Sequence, residues 1–152
     1  KRGIIWDVGF GAASFSYRHA IPATKEGFYP DVISTDMHGG SMNSSMKDLL
    51  TVMSKFIALD MPLTDIVAGV TWKPAQVIHR EQLGNLSPGS VGDVAVLKLR
   101  KGKFGFYDQQ GNFMKGTKKF ECEVTIKDGQ VFYDLNGRAR PLTKFRSGRP
   151  IP

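Results

Sequence analysis

The sequence predicts an α/β fold followed by a small antiparallel β region, and three observations carry that prediction. Two short apolar runs, residues 3–8 and 32–34, flank a segment with a helix start at Ser14 and a helix stop at Gly27. Strand–helix–strand order implies parallel pairing and a right-handed crossover. Apolar residues then recur at helical spacing from Met46 to Val70. From about Leu83 the period falls to two, with Gly and Pro as punctuation.

Each element has its own signal. Gly9-Phe10-Gly11 follows the first strand as a tight loop, where glycine permits a left-handed backbone or the close approach of another segment. Ser14 is the expected N-cap of a helix running to about Glu26, with Pro22 predicting a kink and Gly27 a left-handed end. The second strand stops in the polar cluster Ser34-Thr35-Asp36-Met37-His38. Ser45 and Asp48 then open a helix whose Met46, Leu49, Leu50, Met53, Phe56 and Ile57 share one face. Leu63, Ile66, Val67 and Val70 mark a second amphipathic helix, with Thr64 acting on its first turn. Pro74 suits the first position of a third.

In the second half, residues 94–99 read as a strand, and residues 104–107 and 112–114 flank a turn at Gln109-Gln110-Gly111. Phe120, Cys122, Val124 and Ile126 alternate with polar residues, as a half-buried strand does. Asp128-Gly129 is a type I′ hairpin signal before a returning strand at 130–135. A boundary near residues 82–90 separates residues 1–82 from a β region at 83–137 and a loose, basic tail at 138–152.

Composition narrows the class. With 152 residues, 41% apolar and 23% charged, the chain has the makeup of a folded domain rather than a disordered segment. Its apolar stretches are short and interrupted, which predicts neither a membrane span nor a signal peptide in this sequence. Cys122 is the single cysteine, which excludes an internal disulfide and a cysteine metal knuckle and makes a cytoplasmic location the default. The net charge of +7 is concentrated late in the chain. Lys98, Arg100, Lys101, Lys103, Lys115, Lys118 and Lys119 stand against one acid, Asp108. Aromatic residues among these lysines could suit single-stranded nucleic acid or an acidic partner. Lysines at strand edges and turns, where they discourage edge pairing, are the reading we favour.

Asp36 and His38 are the candidate chemical groups. Two residues apart, they would face one side of a regular strand. An aspartate at the carboxyl end of such a strand can bind a divalent metal and move a proton between water and a leaving group. It can equally cap the next turn. Two residues do not complete a metal site, and His19 and His79 lie in helix-like stretches without ligand spacing. Gly9-Phe10-Gly11-Ala12-Ala13-Ser14 nearly matches the dinucleotide fingerprint, but Ser14 takes the third glycine's place and Asp7 stands at the strand end.

Longer stretches carry a resemblance: Asp7-Val8-Gly9-Phe10-Gly11 with Ser14-Phe15; Ser34-Thr35-Asp36-Met37-His38; Leu63-Thr64-Asp65-Ile66-Val67 with Thr71-Trp72-Lys73-Pro74-Ala75; Gly84-Asn85-Leu86-Ser87-Pro88-Gly89 through Gly92-Asp93-Val94; and Val124-Thr125-Ile126-Lys127-Asp128-Gly129. In this order and spacing they resemble the C-terminal part of an amidohydrolase-superfamily metal-dependent hydrolase, of the dihydroorotase-like and deacetylase-type branch. The resemblance implies a (β/α)8 TIM barrel, with residues 3–8 as strand seven and the strand ending at Asp36 as strand eight. The β region becomes a small antiparallel β-sandwich domain. It implies hydrolysis of a small-molecule amide or ester by metal-activated water, with one or two divalent ions, zinc foremost, in the complete protein. Asp36 is then a metal ligand and the general base and acid, while His38 and the loop of Gly9, Gly11 and Ser14 line the substrate side. The other family ligands would lie upstream of Lys1, so this fragment alone should be catalytically silent. Phe10 stands where relatives tend to have histidine. A homo-oligomer is expected, and a membrane or nucleic-acid partner is not; a basic β module is the alternative.

Overall fold

The structure, a computed structural model, describes residues 3–11 and 14–139. Its first unit is the expected strand–helix–strand. Strand β1 (Asp7–Val8) runs parallel to β2 (Val32–Ile33), pairing Asp7 with Val32 and Val8 with Ile33. Hydrogen bonds extend the pairing both ways, from Val32 N to Trp6 O and from Phe10 N to Thr35 O, each 3.1 Å. Helix α1 (Tyr17–Lys25) makes the crossover. It starts three residues after Ser14, whose hydroxyl instead donates to Gly11 O at 2.8 Å and closes the loop. The backbone N–H of Tyr17 donates to a distant carboxylate, Asp108 Oδ2, at 2.9 Å. Gly27 has φ 75°, the left-handed helix end its position predicts.

Helices α2 (Gly39–Met42), α3 (Leu49–Ala58), α4 (Leu63–Val70) and α5 (Trp72–Val77) follow. Asp48 caps α3, accepting from Thr51 N at 2.6 Å. The single apolar face expected of α3 is too narrow: Thr51, Val52, Met53, Ser54, Lys55 and Phe56 are all buried in succession. The helix lies between the α/β unit and the second sheet, so tertiary burial overrides its amphipathic pattern. Thr64 does not cap α4, which starts after Pro62 without a side-chain cap. Pro74 is the third residue of α5, still within the first turn, where a missing N–H costs no helical bond.

The second sheet has order β3-β4-β5, all antiparallel, from β3 (Val94–Tyr107), β4 (Phe113–Lys127) and β5 (Gln130–Asp134). Asp128 and Gly129 both have positive φ, 49° and 74°, as a type I′ turn requires. The alternation expected from Phe120 to Ile126 does not hold. A register shift between Val96 and Leu97, paired to Val124 and Cys122, turns Val124 and Ile126 to the face opposite Phe120 and Cys122. The described residues thus form an α/β unit and an antiparallel sheet, two open sheets of two and three strands. Neither a closed barrel nor a two-sheet sandwich is present among them. The tail beyond Ala139 lies outside the described residues, and the loose tail expected at 138–152 largely with it.

One core crosses the boundary near residues 82–90. Phe10, Phe15, Met46, Val52, Met53, Phe56 and Ile66 pack in a single cluster with Phe106 and Phe120 of the sheet. Among the described residues no helix is long and apolar enough to cross a membrane.

Candidate active site

The strand pairing stops at Thr35, and the next residue, Asp36, takes φ 49°. This left-handed turn at a non-glycine residue is a local cost that aspartate tolerates better than most. It leaves the side chain exposed at the strand end, beside the loop after β1. The two strand-end glycines make room for it. A Cβ at Gly9 would sit 3.0 Å from the Asp36 Cβ, and one at Gly11 would meet the carboxylate itself and lie 2.7 Å from the Asp36 carbonyl oxygen. The close approach expected of this loop therefore has a partner, and the partner is Asp36.

His38 joins the group by a turn rather than by strand alternation. It is extended at φ −148° and stands at the N-cap of α2. Its ring Nδ1 lies 3.0 Å from the Asp36 carbonyl oxygen, and its backbone N–H donates to Ser41 Oγ at 2.9 Å. Donation from Nδ1 to that carbonyl leaves Nε2 as the nitrogen open to another group. Gly9, Gly11, Asp36 and His38 thus stand together. Ser14 is tied to Gly11 O but lines a different space. That space is a groove of about 370 Å³ between β1 and α1, shared with Trp6, Phe15, His19 and Phe28. Ala12 and Ala13 of the same loop lie outside the described residues.

Behind Asp36 is a cluster that sequence reasoning missed. Lys55 is fully buried in α3, with 0% of its surface exposed. Its Nζ donates to Ser45 O and to Tyr107 O, each at 2.8 Å, and lies 3.3 Å from the centre of the Phe10 ring. An ammonium has three protons, and here it meets three acceptors, two carbonyls and one aromatic face. Burial pushes the Lys55 ammonium down to about 7, with the Asp108 carboxylate opposing that fall and Lys47 adding to it. The available signal was spacing: Val52, Lys55 and Leu59 fall on one face of α3, so a lysine sits in an apolar row.

Asp108, 2% exposed, organises the β3–β4 turn. Its carboxylate accepts from Tyr17 N, Gln110 N, Asn112 N and Asn112 Nδ2, at 2.8–2.9 Å. Burial alone pushes this carboxyl up; the Asn112 side chain and the three backbone N–H groups together outweigh it and hold it below the usual carboxylate range. Next to it, Gln109 Nε2 donates to Phe10 O at 3.2 Å and to Ser44 Oγ at 3.0 Å. The turn read from sequence as a simple reversal is the contact between the two halves. On the outer face of the sheet some basic residues are paired, Arg100 with Glu121 at 3.0 Å and Lys98 with Glu123 at 3.7 Å.

Asp36 can serve as one ligand of a divalent ion, because its carboxylate is exposed and its glycine cradle fixes the approach. Among the described residues no three His, Cys, Asp or Glu side chains gather closely enough to hold a metal by themselves.

The chain is similar to known proteins over most of its length. A model of the amidohydrolase family matches residues 16–132. A deacetylase of Agrobacterium fabrum is 40% identical over 148 residues, covering 96% of this chain and 36% of that protein. A deacetylase of Brucella anthropi is 38% identical over 148 residues, with 96% and 37% covered. A dihydroorotase crystal structure superposes with a TM-score of 0.79 at 36% identity, over 85% of this chain and 35% of the other. An adenine deaminase structure gives 0.82 at 29% identity, over 87% and 36%. The chain spans about a third of the length of the relatives it matches.

Proposed function

The chain belongs to the amidohydrolase family, and from that premise we propose that it supplies the last two strands of a (β/α)8-barrel hydrolase, and with them one catalytic carboxylate. The complete protein cleaves a small-molecule amide or ester, of deacetylase or cyclic-amidase type. The observation that carries this reading is the Asp36 carboxylate, turned out at a parallel strand end and seated where only glycines leave room. Active sites of such folds lie at that end of the strands.

A divalent ion, zinc foremost, would supply a water of lowered pKa at this site. Asp36 would be one of its ligands, and the remaining donors would come from outside the described residues. Asp36 takes the proton of the attacking water as its oxygen adds to the acyl carbon. The same carboxyl returns that proton to the leaving nitrogen or oxygen as the bond to carbon breaks. His38 Nε2 is the group on this chain best placed to meet the substrate. Gly9 and Gly11 act by having no side chain, which leaves the carboxylate free to reach the reacting atoms. The substrate-side role of Ser14 is indirect, through its hold on Gly11 O.

A cytoplasmic setting fits a chain with one cysteine. Ile4, Ile5 and Trp6, each more than half exposed beside β1, support burial of this edge against further barrel strands or a second copy.

The test is Asp36→Asn in the complete protein, assayed by steady-state amide or ester hydrolysis. Loss of the proton-transfer group lowers kcat by about 10²–10⁴-fold. Undiminished turnover overturns the reading.

A further inference from the structure

Two side chains from distant parts of the chain grip the same pair of segments. Lys55 Nζ holds Ser45 O and the Phe10 ring; Gln109 Nε2 holds Ser44 Oγ and Phe10 O. Phe10 is the residue between Gly9 and Gly11, the two positions against which Asp36 rests. Ser44 and Ser45 lie on the segment that carries the chain from Asp36 and His38 into α3. The third acceptor of Lys55, Tyr107 O, and Gln109 itself belong to the end of β3 and the turn after it. The clasp therefore fastens both loops around Asp36 to the β sheet. Phe10 has 0% of its surface exposed, and its ring lies against the ammonium.

Burying an ammonium is unfavourable, and a methionine of similar length would fill the same space without that cost. A methionine could not hold two carbonyls and a ring at fixed distances. The lysine thus contributes placement where an apolar residue would contribute stability. We infer that Lys55, with Gln109 as its companion, is a positioning residue for the Asp36 carboxylate, making the active-site loops depend on docking of the β sheet. This rests on the function proposed above, because Lys55 touches neither substrate nor metal and acts only through Phe10 and the Ser44–Ser45 segment.

The test measures zinc affinity by chelator competition, together with kcat and KM, in the complete protein and in Lys55→Met, Gln109→Leu and Asp36→Asn. Supporting groups behind a metal ligand are worth about 10–100-fold in metal affinity or activity. The expected result for Lys55→Met is a loss of that size in zinc affinity and kcat, with KM within about twofold. A purely structural lysine would move the melting temperature and leave zinc affinity and kcat alone. If Lys55→Met does not fold, Gln109→Leu carries the test. It leaves the lysine in place and must lower zinc affinity by at least about threefold; parental affinity overturns the inference. If Asp36→Asn weakens zinc and Lys55→Met does not, the inference fails and the proposed function stands. If Asp36→Asn leaves zinc affinity unchanged, both fail.

Discussion

The α/β region holds the candidate chemistry on almost no sheet, whereas the β region holds almost all the sheet and none of that chemistry. Strands β1 and β2 pair over two residues each, beside exposed Ile4, Ile5 and Trp6. Strands β3 and β4 pair over twelve positions. The buried ionisable groups sit where the two regions meet: Asp108 reaches from the β turn to the start of α1, and Lys55 reaches from α3 to the end of β3. The difference teaches that the region of the candidate site is braced by the other one. Two short strands cannot by themselves hold a carboxylate in a left-handed turn against two glycines.

The strongest way to break that arrangement is to remove Asp108. Asp108→Ala removes the shared acceptor of four donors, strands the buried Tyr17 N–H and frees the β3–β4 turn, and about 3 kcal/mol of unfolding free energy should be lost in urea titration. Acid should imitate part of this. The folded carboxyl is held below its unfolded value, so its contribution is present above about pH 4 and is lost as pH falls through and below that value. In Asp108→Asn that part of the acid sensitivity should vanish.

Next in size is Gly11→Ala. Gly11 is not left-handed, so alanine adds no backbone strain there, and its methyl meets the Asp36 carboxylate. Displacing a catalytic group by about 1 Å costs roughly a hundredfold in rate. Kinetics of the complete protein should show that loss together with a lower unfolding midpoint, because the methyl also crowds the Asp36 carbonyl oxygen.

Lys55 gives an effect that appears only as pH changes. Its folded pKa, about 7, lies below that of an unfolded lysine, near 10.5, so the unfolded chain binds more protons between those values. Stability should rise with pH across that window, and the burial cost should be complete below about pH 7. Compared with Lys55→Met, the parent should gain on the order of 3 kcal/mol from pH 7 to pH 10 in paired urea titrations. The smallest effect belongs to the outer face of the sheet. Glu121→Ala removes an exposed ion pair with Arg100 and should change stability by less than about 0.5 kcal/mol.

Much of this molecule was legible in the residues. The parallel unit follows from strand–helix–strand order, and the stop at Gly27, the Asp48 cap and the Asp128-Gly129 hairpin follow from local rules of backbone freedom and capping, which act over two to five residues. Asp36 was legible as a polar residue at a strand end, and Gly9 and Gly11 as positions of close approach. The face of Val124 and Ile126 was not legible, because a single register shift exchanges the two faces of a strand. The start of α1 was misplaced at Ser14 because its first N–H is capped by Asp108, about ninety residues away.

The sequence by itself determined which segments become helix and strand, the family to which they belong, and the strand-end carboxylate that is the candidate for the chemistry. These depend on spacing along the chain. Only the tertiary structure decided that Phe10 covers a buried ammonium, that His38 returns to the Asp36 carbonyl, and that the turn at residues 108–112 holds the loop beside Asp36. Those contacts join residues forty to a hundred positions apart, or hang on one backbone angle. Periodicity and composition carry no record of either.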